Sequence, residues 1–151
     1  MKGRILAVDP GEKRIGIAIS DPTGMIANPL VVIMHRSRAE DAAAIVRLAV
    51  EHEAVQIILG QPLDDDGNVT PQGRHSARLA DEIRSQTALP VVLWDESGST
   101  QAAREARRAM GVSRRKRSGH LDEIAATVIL QTYLDANWLS GRRLQDPELS
   151  E

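Results

Sequence analysis

"RILAVDPGEKRIGIAISD" (residues 4–21) reads as two strands and the turn between them. "RILAVD", 4–9, is a nearly continuous apolar run, the pattern of a central strand covered on both faces. "RIGIAISD", 14–21, alternates instead, with Ile15, Ile17 and Ile19 on one side and Gly16, Ala18 and Ser20 on the other. Between them, "PGEK" is a tight turn: Pro10 holds Asp9 extended, and Gly11 supplies permissive backbone angles. The two segments therefore predict an antiparallel hairpin.

Outward from the hairpin, "NPLVVIM" at 28–34 supplies a third strand. A helical stripe follows from about Arg38 to Glu53, carried by Ala42, Ile45 and Ala49 with Val46 and Val50 beside it. "AVQIILG", 54–60, is a short buried strand, and the loop "QPLDDDGNVTPQG" after it reads as exposed and mobile. A helix over 73–86, a strand over 91–95, a helix over 99–110, a basic loop and a helix over 120–138 complete the pattern. A three-stranded meander followed by alternating strands and helices predicts an α/β domain with a mixed sheet. One domain over 1–138 and a polar tail over 139–151 account for the chain.

The composition, 151 residues with 42% apolar and 26% charged, suits one domain with a real core. No apolar run approaches the roughly 20 residues of a membrane span, so no membrane partner is expected. "MKGRILAVDPG" is not a signal peptide, because its apolar run stops at Asp9. The absence of cysteine excludes disulfides and thiolate metal sites and fits a reducing cytoplasm. The net charge of −2 gives no global reason to expect nucleic acid, but its distribution does. Arg104, Arg107, Arg108, Arg114, Arg115, Lys116 and Arg117 face one acid, Glu105, a footprint of polyanion binding or, more blandly, a solvated helix face and loop. With no Phe, one Tyr and two Trp, base stacking is not expected, and nucleic acid would be held through phosphates and shape.

Acids stand where buried elements meet solvent. Asp9 ends the first strand, Asp95 and Glu96 end the last, and Asp122 lies in the first turn of the final helix. Asp9 could simply open the Pro-Gly turn, and Asp122 could simply complement the helix dipole. Asp122, however, shares a face with Ala125, Ala126 and Ile129, a small-residue stripe that lets a helix approach a sheet closely. Clustered carboxylates stay ionised only when a cation neutralises them, and Mg²⁺ or Mn²⁺ are the natural counterions. His35, His52 and His75 lack metal-ligand spacing and read as surface residues, and Trp94 and Trp138 read as packing residues.

"ILAVDPGEKRIGIAISD" (5–21), "IILGQPLDDDG" (57–67), the acid pair at 95–96 and "GVSRRKRSGHLDEIAATVILQTYL" (111–134) together resemble the YqgF/RuvX family. That family is described both as Holliday junction resolvases and as pre-16S rRNA nucleases. The resemblance implies a ribonuclease H-like fold: a five-stranded mixed sheet, its first three strands an antiparallel meander, with helices on both faces. It also implies catalytic and metal-holding roles for Asp9, Glu96 and Asp122 with one or two Mg²⁺ or Mn²⁺ ions. Phosphate contacts fall to Arg14, Arg114, Arg115, Lys116 and Arg117. Asp95, as the strand neighbour of Glu96, faces the other way. The family usually continues its acid pair with arginine and an apolar residue, whereas this chain has Ser97 and Gly98. Without such a charge-assisted bond to phosphate, substrate positioning could weaken by about 1.5–3 kcal/mol.

The resemblance thus predicts a metal-dependent hydrolase of phosphodiesters, acting on pre-16S rRNA 5′ ends or on branched DNA. Trimming RNA needs one site and a monomer; resolving a two-fold junction needs a homodimer with two. A catalytically weak RNA-binding assembly factor is the reading suggested by Ser97. The hairpin also looks like the phosphate-binding hairpin of actin-like ATPases and sugar kinases, which are two-lobed and need far more chain.

Overall fold

In the computed structural model, residues 3–95 and 120–144 are described, and the side chains of the final helix over 124–137. Five strands form one sheet: β1 (Arg4–Pro10), β2 (Arg14–Ser20), β3 (Ala27–Met34), β4 (Ala54–Gln61) and β5 (Val91–Asp95). Helices α1 (Arg38–Glu51) and α2 (Pro71–Gln86) flank β4, and α3 (His120–Leu144) follows. The strand order is β3-β2-β1-β4-β5, with β1–β2 and β2–β3 antiparallel and β1–β4 and β4–β5 parallel. The expected mixed sheet with its meander is therefore present. The helix expected over 99–110 lies outside the described residues.

Alternation along the strands sorts the core onto two faces. Leu6, Val8, Ile15, Ile17, Ile57 and Leu59 pack with Ala42, Ile45, Leu79 and Ile83 of α1 and α2. Ala7, Ala18 and Ile58 pack on the other face with Ala126, Ile129, Leu130, Tyr133 and Leu134 of α3. Each fully buried Leu or Ile stabilises the fold by about 1.5–3 kcal/mol, so both layers matter to stability. β1 and β2 contribute Ala7 and Ala18 to the α3 face where they contribute branched residues to the other, so α3 can lie close to these strands.

The turns have specific chemistry. A Cβ on Gly11 would lie 2.2 Å from the Arg14 carbonyl oxygen, so the β1–β2 turn closes only around glycine. At the opposite edge of the sheet, Asp21 closes the β2–β3 turn by accepting from the Thr23 hydroxyl and from the N–H groups of Met25 and Ile26. The Thr23 hydroxyl, then the Ile26 N–H, hold this carboxyl down to about 2.

Two expectations change. The loop after β4 is exposed but internally bonded: Asp64 accepts from the N–H groups of Asp66 and Asn68, and Leu63 bridges to Val69. Asp64 closes the loop on itself, as Asx turns do. The final helix also continues past 138 to Leu144. Arg142 and Arg143 in its last turn are basic residues at a helix C-terminus, which favour helix over tail.

Candidate active-site edge

β3 runs parallel to β1, because each is antiparallel to β2. The carboxyl ends of β1, β3, β4 and β5 therefore share one edge of the sheet, where open α/β sheets gather ligands. Asp9 is the penultimate residue of β1 and is half-buried at that edge. It shares the strand parity of Ala7, which packs against α3, so Asp9 belongs to the α3 face. Its cross-strand partner is Gly16, which adds no side chain beside it.

Helix α3 runs back along the sheet from this edge. Gln131 accepts from the Ala27 N–H at 2.9 Å and donates to the Met25 carbonyl at 3.0 Å, at the far edge. Gln56, in the amino-terminal half of β4, donates to the Tyr133 hydroxyl at 2.7 Å. Ala126 and Ile129 lie between, over Ala7 and Ala18. The nine residues from Asp122 to Gln131 climb about 13 Å, close to the length of β1 from Asp9 to Ile5. The first turn of α3, with Asp122 its third residue, therefore starts toward the Asp9 edge.

β5 places Asp95 away from Asp9. Leu93 packs with the α1–α2 core, whereas Val92 and Trp94 pack with the α3 core. Asp95 shares the parity of Leu93, on the side of the sheet opposite Asp9. Trp94 donates to the Thr132 hydroxyl at 3.0 Å and meets Tyr133 edge-on, with ring centroids 5.1 Å apart, as a packing residue. Arg14 opens β2 and is exposed beside the β1–β2 turn. Glu96, Ser97, Arg114, Arg115, Lys116 and Arg117 lie outside the described residues, as do the side chains of Asp122 and Trp138. Among the described residues, no group of three His, Asp or Glu side chains is arranged to hold a metal ion.

Sequence reasoning missed a polar cluster behind this edge. Asp41, only 3% exposed, accepts from His35 Nδ1 at 2.5 Å and from the Arg36 N–H at 3.0 Å. The His35 ring meets His75 of α2 edge-on at 6.4 Å. Burial, then the charges of Arg38 and His35, push the His75 imidazole below its ordinary value; Arg78 adds to this and Asp41 opposes it. The surface reading of His35 and His75 therefore omitted their partnership. The available signal was Asp41 on the apolar stripe that continues through Ala42 and Ile45. A hydrogen bond ties this region to the candidate site: the Gln72 side-chain amide of α2 donates to the Pro10 carbonyl, next to Asp9.

Comparison with known proteins agrees with this architecture. The family model for RuvX, described as Holliday junction resolvase, matches residues 3–136. A protein from Syntrophus aciditrophicus named "Putative pre-16S rRNA nuclease" is 39% identical over 133 residues, covering 88% of this chain and 89% of that one. A Chloroflexus aurantiacus protein of the same name is 40% identical over 132 residues, covering 87% and 86%. Among solved structures, Thermus thermophilus RuvC in complex with Holliday junction substrate aligns with a TM-score of 0.58 at 12% identity, covering 89% of this chain and 96% of that chain. The fowlpox virus Holliday junction resolvase aligns at 0.52 and 16% identity, covering 88% and 99%. At these identities the structural likeness speaks for the fold. No helix among the described residues is long and apolar enough to cross a membrane.

Proposed function

The chain belongs to the RuvX family, and on that premise we propose that it is a divalent-metal-dependent nuclease that processes the 5′ end of pre-16S rRNA. The observation that carries the reading is Asp9, half-buried at the carboxyl end of a central strand, on the face covered by α3. A carboxylate at the carboxyl end of a central strand stands where open α/β sheets gather ligands.

The donor set fits a hard cation. Asp9, Glu96 and Asp122 all offer carboxylate oxygens, as Mg²⁺ and Mn²⁺ prefer. Glu96 and Asp122 enter the set by their match to the family's motif positions. When bound, one or two such ions would supply charge stabilisation and an activated nucleophile for phosphodiester hydrolysis. The chain's own part is orientation. The β1–β2 ladder fixes the Asp9 backbone, the parallel pairing with β4 reaches the preceding Val8, and Gln72 holds the Pro10 carbonyl that follows. Arg14 and the segment Arg114–Arg117 hold phosphates that flank the scissile bond.

A second reading, resolution of four-way DNA by a homodimer, is supported by the family description and by the RuvC-like fold. The assay that separates them offers the protein a 5′-extended 16S precursor RNA and a four-way DNA junction, with Mg²⁺ or Mn²⁺ and with chelator. The primary reading predicts metal-dependent shortening of the RNA. Cleavage of the junction alone would replace it with resolution. RNA binding without cleavage of either substrate would reduce the chain to an assembly factor.

A further inference from the structure

Lys13, Arg14, Arg36, Arg38 and Arg78 are all exposed. They come from the β1–β2 turn and β2, the β3–α1 connection, α1 and α2, so no single stretch of sequence announces them. The structure joins them. The His35 N–H donates to the Lys13 carbonyl at 2.9 Å, and Arg14 pairs with Met34 across the β2–β3 ladder. His35 and His75 meet edge-on, with Arg38 and Arg78 close enough to act on the His75 ring.

Asp41 explains why these cations are not quenched locally. It lies within the cluster, yet it is buried and engaged with His35 and the Arg36 backbone. It fixes the β3–α1 connection from beneath. The other nearby acids, Glu12 and Glu40, are outnumbered, and among the described residues none of the five cations forms an ion pair. A chain with a net charge of −2 thus concentrates positive charge on one surface. Such a surface recruits a polyanion, and no Phe, Tyr or Trp stands among its exposed members to stack on bases.

The position fits that partner. β3 lies two strands from β1, about 10 Å from the line of Asp9. The surface and Asp9 therefore share one end of the sheet from opposite faces, so a nucleic acid crossing that end can meet both.

We propose that Lys13, Arg36, Arg38 and Arg78 form a second backbone-binding surface for the nucleic-acid substrate, on the α1–α2 side of the sheet end that carries Asp9, with Arg14 at its margin on the α3 face. It is separate from the basic segment Arg104–Arg117. It positions a duplex arm by its phosphates and carries no sequence preference. The proposal rests on the nucleic-acid reading of the chain but not on catalysis.

The test is R36Q/R38Q/R78Q, with R47Q as a control that removes an exposed charge elsewhere on α1. Fluorescence anisotropy against a 5′-extended RNA duplex and a four-way DNA junction, in chelator and across a salt series, reads binding without cleavage. We expect the triple variant to bind at least tenfold more weakly at 0.1 M salt. Its slope of log K against log salt on duplex DNA should fall by two to three, about 0.9 for each phosphate that the variant leaves unneutralised. R47Q should match wild type, and thermal unfolding should show that all variants are folded. Unchanged affinity and slope in the triple variant would overturn the surface, even if the wild type cleaves RNA. Loss of binding in a protein that cleaves neither substrate would keep the surface and reject the nuclease reading.

Discussion

Asp9 and Gly16 face each other across the β1–β2 ladder, the carboxylate on one strand beside a residue with no side chain on the other. Directly opposed Cβ atoms in such a ladder lie only about 4.5–5.5 Å apart. The glycine therefore adds no side chain next to the carboxylate on the face that α3 covers.

A branched side chain at that position should crowd the carboxylate. G16V is expected to weaken Mn²⁺ binding and to lower cleavage by tenfold or more while the protein remains folded. Calorimetric titration of Mn²⁺ checks this, with circular dichroism as the measure of folding. Wild-type affinity in a folded G16V protein would show that the space has no role.

The β1–β2 turn makes a separate prediction. A methyl group on Gly11 would meet the Arg14 carbonyl oxygen at 2.2 Å, and backbone cannot yield as a flexible side chain can. G11A should destabilise the protein by about 1–3 kcal/mol, the usual cost of forced overpacking. Urea unfolding measures it, and a change below about 0.5 kcal/mol would contradict the geometry.

Tyr133 ties α3 to the sheet through the bond from Gln56 at 2.7 Å. Y133F keeps the ring against Trp94 and removes only the hydroxyl. The expected destabilisation is about 0.5–1.5 kcal/mol in urea unfolding. Paired with Q56L, the double variant should be destabilised by less than the sum of the singles, because either change alone already breaks the bond.

Acid should weaken the fold through Asp21. Its carboxyl titrates at about 2 in the folded chain against an ordinary 3.8. Between those values the unfolded chain binds more protons, so stability falls as pH drops from about 4 to about 2. Asp21 contributes its full effect above that window. D21N cannot titrate there, so its stability should fall less steeply over the window than that of wild type. Parallel acid-unfolding curves for the two proteins would contradict the assignment.

What the sequence disclosed followed from local physics. The β1–β2 hairpin was legible because Ile15, Ile17 and Ile19 alternate strictly and Pro10-Gly11 allows little except a turn. β5 was legible as the apolar run Val91–Trp94 that ends in Asp95. The Asp41–His35–His75 cluster was not legible, because its members come from three separate elements and only the fold joins them. Asp64, Asp65 and Asp66 read as a solvated run, whereas Asp64 turns inward to its own loop's N–H groups. Helix α3 outran its expected end because a serine and a glycine at 140–141 suggested a stop that the following arginines offset. Of the expected site, Asp9 and Arg14 are described in full and Asp122 in its backbone, while Glu96 and the basic segment 114–117 lie outside the described residues.

The central claim is that Asp9 holds a catalytic metal for phosphodiester hydrolysis, and D9N removes its charge while nearly preserving its shape. The measurement is cleavage of 5′-extended 16S precursor RNA and of four-way DNA by both proteins in Mn²⁺, alongside calorimetric Mn²⁺ binding. The account predicts metal-dependent cleavage by the wild type, a drop of at least a hundredfold in D9N, and weakened Mn²⁺ binding with nucleic-acid affinity retained. Equal cleavage by the two folded proteins would contradict it.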